Sequence, residues 1–177
     1  MNFVVRSGVV RRLPARTEVL SLLRAAEFHW HFSQGIIALD QRLYIPGCLS
    51  LLTGIEASIR CTIQQRRDPG VVPEQLGSTL SNSLLREASR VGLPIHTLVV
   101  PGEADFWERL PERSDHVRIV QLRHDLAHGN LLGYMQQTEH GPLLVPEFIQ
   151  PTARTLRRLS LNWCRELAAY RARELGL

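Results

Sequence analysis

The stretch PTARTLRRLSLNWCRELAAYRAREL, residues 151–175, decides the fold class. At the helical period Leu156, Leu159, Trp163, Leu167 and Tyr170 fall within one narrow arc, while Arg154, Arg158 and Arg165 lie on the opposite face. A stripe of this kind must be covered by other elements, and the rest of the chain supplies more helices of the same type. Thr17 is a candidate cap for a helix through VLSLLRAAEFHWHF toward Tyr44, where IPG breaks the pattern. A second helix is expected from about Pro46 to Arg67, and a third is opened by Pro73 and closed by Gly92 and Pro94. Residues 95–112 read as a short extended piece and then about two helical turns between prolines. Ser114 is the expected N-cap of the next helix, and Gly129 its stop. YMQQTEHGPLLVPEFIQP, residues 134–151, reads as a loop or small β-excursion turning at His140-Gly141. The expectation is an all-α bundle of four or five helices with a short irregular or β-like excursion near 133–150. It forms a single domain over 1–177, with its core between roughly 16 and 175.

At 177 residues the chain is long enough to bury one core. It contains no run of eighteen or more apolar residues, so no membrane span is expected. MNFVVRSGVVRRLP has too short an apolar run for a secretory signal. Cys48, Cys61 and Cys164 are odd in number and far apart, a pattern that suits buried thiols in a reducing cytoplasm. The net charge is +4, and all 21 basic residues are arginine. The planar guanidinium suits bidentate phosphate contacts and hence a nucleic-acid ligand. Codon usage in a GC-rich genome produces the same composition, so charge alone does not select RNA as the partner. Trp30, Trp107 and Trp163 belong to no basic-aromatic cluster and are expected in the core.

The second helix holds an anomaly. Glu56 interrupts its apolar stripe of Leu49, Leu52, Ile59 and Ile63. A carboxylate there needs a partner, because burying an unpaired charge is costly. Arg60, one turn later, is the local candidate. An arginine from another helix, with Arg123 foremost, is the one that bears on function.

Chemistry concentrates in QLRHDLAHGN, residues 121–130. His124 and His128 are four apart, as in helical zinc sites, with Asp125 as the acid and Glu147 as a distant third ligand. The Asp125 side chain is short for a general base there. A His124-Asp125 phosphohydrolase dyad would need a later aspartate, and none follows Asp125. A metal-dependent hydrolase using His124 and His128 is therefore the weaker alternative, and no metal or other cofactor is expected.

Arg123 and His128 form an R-x4-H pattern near a helix C-terminus, with the polar His124 after the arginine and LAHGN completing the segment. This stretch resembles the signature of HEPN domains, small all-α modules. The resemblance in type extends over about residues 16–175, although some eight residues carry it sharply. It implies a HEPN-like bundle and a metal-independent endoribonuclease, in which the RNA 2′-hydroxyl attacks the adjacent phosphate and leaves 2′,3′-cyclic phosphate ends. It also implies a homodimer with a composite site, and a place in toxin–antitoxin or phage-defence systems beside a cognate antitoxin or defence partner. The chemistry of the residues agrees: an imidazole titrates near neutral pH and suits proton transfer at His128. The Arg123 fork suits the charge that develops on the phosphorane. Five residues on a helix mean about 140° of rotation and about 7.5 Å of rise, so one copy of the pair makes an awkward pocket. Two copies facing across a two-fold axis would form one cleft, the composite dimer site that the resemblance implies. Where HEPN toxins paired with a nucleotidyltransferase carry a tyrosine two after the histidine, this chain has Asn130, so silencing by tyrosine modification is not expected. Asn130 is a candidate to bind phosphate or position His128, and His124, Asp125, Glu56 and Arg60 are supporting candidates. The rival expectation is a catalytically silent HEPN module that binds RNA, a nucleotide or a protein partner.

Overall fold

Two helices meet backbone to backbone at the centre of the molecule. In the computed structural model, which describes residues 22–23, 25–68 and 79–176, α1 (Ala26–Asp40) and α2 (Tyr44–Arg67) are joined by three residues. A Cβ on Gly35 would lie 3.1 Å from the Gly47 carbonyl oxygen, and one on Gly47 3.2 Å from that of Gly35. These two glycines allow the helices to approach closely. The Ser50 hydroxyl donates to the His31 carbonyl at 2.8 Å, and Phe32 packs on Gly54, so the contacts run in opposite directions along the two helices. The pair is therefore an antiparallel hairpin. Pro46 falls in the first turn of α2, where a missing N–H costs nothing.

Helix α2 is the central element, with Cys48, Leu51, Leu52, Ile55 and Ile59 fully buried. Against it lie α3 (Asn82–Arg90), α5 (Arg118–His128) and α6 (Gln150–Leu175). The stripe that announced α6 is the stripe it buries: Leu156, Trp163, Leu167 and Tyr170 are in the core and Leu159 is half-buried. Trp163 Nε1 donates to Ser58 Oγ of α2 at 2.9 Å, and Arg171 donates to Gln65 Oε1 at 2.7 Å. Arg154, Arg158 and Arg165 are exposed, as the period requires.

Between α3 and α5 the chain makes a 3-10 turn (Ile95–Leu98) and the single-turn α4 (Phe106–Arg109), where an extended piece and two turns were expected. After α5, β1 (Met135–Thr138) and β2 (Gly141–Leu144) pair antiparallel from Met135↔Leu144 to Thr138↔Gly141. The two-residue loop is Glu139-His140, and Gly141 follows with φ 108°. The protein is thus all-α with one small hairpin.

Several boundaries differ from expectation for physical reasons. α3 begins at Asn82 because Ser81 caps it, its Oγ accepting from Leu84 N at 3.3 Å. Pro73 and Thr17 lie outside the described residues. Trp163 is buried, but Trp30 and Trp107 are 59% and 54% exposed. Among the described residues no helix is long and apolar enough to cross a membrane.

Candidate functional site

Helix α5, which carries Arg123, His124, Asp125 and His128, is started by groups distant in sequence. Its N-cap residue is Val117, not the expected Ser114, and Val117 has no side chain able to cap. Glu103 Oε1 accepts from Arg118 N at 2.6 Å, and Asn82 Oδ1 accepts from Val117 N at 3.2 Å. Both side chains are buried, and both satisfy amide donors that a helix start leaves orphaned. The Glu103 carboxylate also sits where the helix dipole favours negative charge. Asn82 Nδ2 reaches the carbonyls of Arg109, Glu112 and Asp115 at 2.9–3.1 Å, pinning the loop that feeds α5.

The other end is local. Gly129 adopts a left-handed φ of 73°, and Asn130 N donates to the Asp125 carbonyl at 2.8 Å, closing a Schellman turn. Gly129 stops the helix as expected and leaves His128 as its last residue. His128 and Asn130 are exposed.

One face of α5 buries Ile119, Val120 and Leu126. From its shoulder Arg123 reaches the anomalous carboxylate of α2, with Nε 3.5 Å from Glu56 Oε2. Glu56 is 6% exposed, and its other oxygen pairs with Arg60 at 2.6 Å. Oε2 also accepts from Leu80 N at 2.9 Å. Both partners anticipated for Glu56, the local arginine and the one from another helix, are engaged at once. Contact through Nε leaves the two terminal nitrogens of Arg123 without a protein acceptor among the described residues, and the side chain keeps 23% of its exposure.

The histidines form a ladder that includes a member not anticipated. His116 stacks on His124 with centroids 5.1 Å apart and planes 3° from parallel, and His124 stacks on His128 at 5.6 Å and 26°. Desolvation, followed by the neighbouring charges of His116, His128 and Arg123, holds His124 below the usual histidine pKa, while Asp125 opposes. His116 Nδ1 is buried without a hydrogen-bond partner among the described residues. Asp125 accepts from Gln121 Nε2 at 2.8 Å, one turn back, and so is tied to its own helix. On α1, burial lowers the pKa of His31, with the Glu56 charge opposing and Arg60 adding to the shift. Neither His31 nor His116 carries a local signal, because each joins the cluster through tertiary packing.

The arrangement brings together Glu56, Arg60 and Arg123 on one side, and His116, His124 and His128 on the other, with α5 linking them. Among the described residues no three histidine, cysteine, aspartate or glutamate side chains converge as a metal-ligand set, and Glu147 lies exposed in the 3-10 turn Pro146–Ile149. What the cluster offers is a cation with an unoccupied fork, a set of imidazoles and a buried carboxylate that orients the cation. Compared with known proteins, the chain matches no family model, no curated protein and no solved structure.

Proposed function

We propose that the protein is a HEPN-like, metal-independent endoribonuclease whose catalytic pair is Arg123 and His128. The observation that carries the reading is the ion pair of Arg123 Nε with Glu56 Oε2 at 3.5 Å, which keeps the guanidinium beside a buried carboxylate while its terminal nitrogens stay available for phosphate oxygens. A phosphorane forming there gains a preorganised positive charge. His128, exposed at the helix end, transfers the proton to or from the 2′-hydroxyl or the leaving 5′-oxygen. His124 holds its ring by stacking, and Asn130 stands two residues beyond His128 for phosphate contact.

The proposal includes a cytoplasmic homodimer in which residues 114–128 lie near the two-fold axis and two motifs share one cleft. Exposed Leu132, Leu143 and Phe148, in the segment after α5, are apolar side chains that such an interface would cover. A cognate antitoxin or defence partner belongs to the same reading.

Cleavage of labelled RNA tests it. The protein should cut RNA, spare DNA and leave 2′,3′-cyclic phosphate ends. His128→Ala should slow cleavage by about 10²–10⁴-fold. Arg123→Ala should cost about 2.7–4 kcal/mol of transition-state stabilisation. Because Arg123 also touches Glu56, Arg123→Lys is the cleaner variant: it keeps the charge beside the carboxylate but lacks the fork, and should remain well below wild type. If His128→Ala and Arg123→Lys both cut as fast as wild type, the assignment fails. Binding of RNA without cleavage by the wild-type chain would favour the silent module.

A further inference from the structure

A second basic site lies at the far end of the α1–α2 hairpin. A cavity of about 270 Å³ opens between the α1–α2 turn and the start of α6, and its lining includes Arg42, Arg154 and Arg157 against one carboxylate, Asp40. Tyr44 begins α2 and Glu56 follows twelve residues later, so the cavity lies about 18 Å along α2 from the Glu56 cluster.

The turn itself is unusual. Leu43 N donates to the Ala38 carbonyl at 2.8 Å and Arg42 N to that of Leu39 at 3.0 Å, which is a Schellman turn ending α1. The position that turn reserves for a left-handed residue is held by Arg42, at φ 61°. Among the described residues it is the one non-glycine residue with positive φ. Glycine would occupy that position without strain, as Gly129 and Gly176 do at the ends of α5 and α6. The residue in this left-handed position is an exposed arginine that lines the cavity, the kind of coincidence that marks a functional position.

The other walls also present donors. Arg157 is neutralised by Asp40 at 2.6 Å, which satisfies the single anionic group present. Arg42 and Arg154 have no carboxylate partner among the described residues. The Tyr44 hydroxyl accepts from Gln150 Nε2 at 3.0 Å, leaving its own hydrogen to donate. A ligand entering here meets two uncompensated positive charges and donors from three segments. A tetrahedral oxyanion satisfies donors arriving from several directions, and the volume falls just below the range of about 300–1,000 Å³ typical for whole small molecules.

We propose that this cavity binds a phosphate group, held by Arg42, Arg154 and the Tyr44 hydroxyl, borne either by a small free ligand or by the end of a nucleic-acid strand. The site does not depend on the RNA-cleavage reading, and its test does not measure cleavage.

Calorimetric titration of the full chain with pyrophosphate, and separately with a short DNA strand carrying a 5′-phosphate, tests it. At least one probe should saturate at one site per chain. Arg42→Gly and Arg154→Ala should each weaken that binding by about tenfold or more, the usual consequence of losing a charged hydrogen bond. Arg42→Gly relieves the left-handed strain, so its melting temperature should equal or exceed that of wild type, which separates lost binding from lost folding. Strand binding that pyrophosphate displaces and that a 5′-hydroxyl strand does not show identifies a strand end as the ligand, pyrophosphate binding without strand binding identifies a free ligand, and strand binding that neither change affects overturns the proposal. Absence of saturation by either probe at millimolar concentration, or an affinity within threefold of wild type in either variant, overturns the proposal.

Discussion

Replacing Glu56 with alanine should be among the most damaging changes in the chain. The substitution removes the 2.6 Å partner of Arg60 and the 3.5 Å partner of Arg123, and it strips the buried Leu80 amide of its 2.9 Å acceptor. Breaking a buried ion pair by removing one member typically costs about 3–5 kcal/mol, because the remaining charge is uncompensated. An orphaned buried amide adds about 1–3 kcal/mol. The two arginines retain 11% and 23% of their exposure and can turn toward water, so about 3–5 kcal/mol in total is the working figure. For a chain of this length each kcal/mol shifts the melting temperature by about 2–4 °C, so a drop of about 6–20 °C follows. Glu56→Gln keeps an acceptor for Leu80 N and should cost less. Urea unfolding followed by circular dichroism measures both. Combining Glu56→Ala with Arg60→Met removes the cation that has lost its 2.6 Å carboxylate and should recover part of the loss. A Glu56→Ala protein within about 1 kcal/mol of wild type, with Arg60→Met strictly additive to it, would refute the idea that this carboxylate organises the cluster.

Acidification should weaken the fold. His31 and His124 titrate below the ordinary value of 6.5, so as pH falls the unfolded chain takes up their protons first. Their contribution is complete above that value and is lost below it. The urea midpoint should therefore fall between about pH 7.5 and about pH 5.5, and a His31→Asn/His124→Asn variant should flatten the trend; a midpoint that rises on acidification contradicts the assignment. Cys48 is fully buried and burial pushes its thiol up to about 12, while Cys61 and Cys164 are 3% and 0% exposed. A thiol reagent should thus label none of the three until denaturant is added, and rapid labelling of the native chain would show that the core is open. Gly35→Ala should cost about 1–3 kcal/mol, since the new methyl meets the Gly47 carbonyl oxygen at 3.1 Å and Leu51 at 2.8 Å; an unchanged melting curve would mean that the helices separate freely.

The features legible in the sequence were those with a local cause. α6 showed itself by the stripe it buries, and Gly129 by the left-handed turn it makes. Glu56 drew notice because a charge stood in an apolar arc, and the expectation that it needed an arginine held for both Arg60 and Arg123. What escaped was settled across the fold. A local capping rule points to Ser114 for the start of α5, whereas its amides are satisfied by Asn82 and Glu103, 35 and 15 residues away. His116 joins the imidazole ladder from the loop before α5, and periodicity cannot place a loop residue. Hydrophobicity points Trp30 and Trp107 inward, yet both are exposed, because apolar character permits burial without requiring it.

The remote capping of α5 also orders the assembly of the molecule. At 11 residues this helix is too short to persist alone in water, and its first turn has no cap of its own. It must wait for the start of α3 to present Asn82 and for the segment before α4 to present Glu103. Arg123 and His128 are therefore held in place only after distant parts of the chain have docked. A nascent or partly unfolded chain carries the same residues without their arrangement, so any chemistry they perform is reserved for the finished fold.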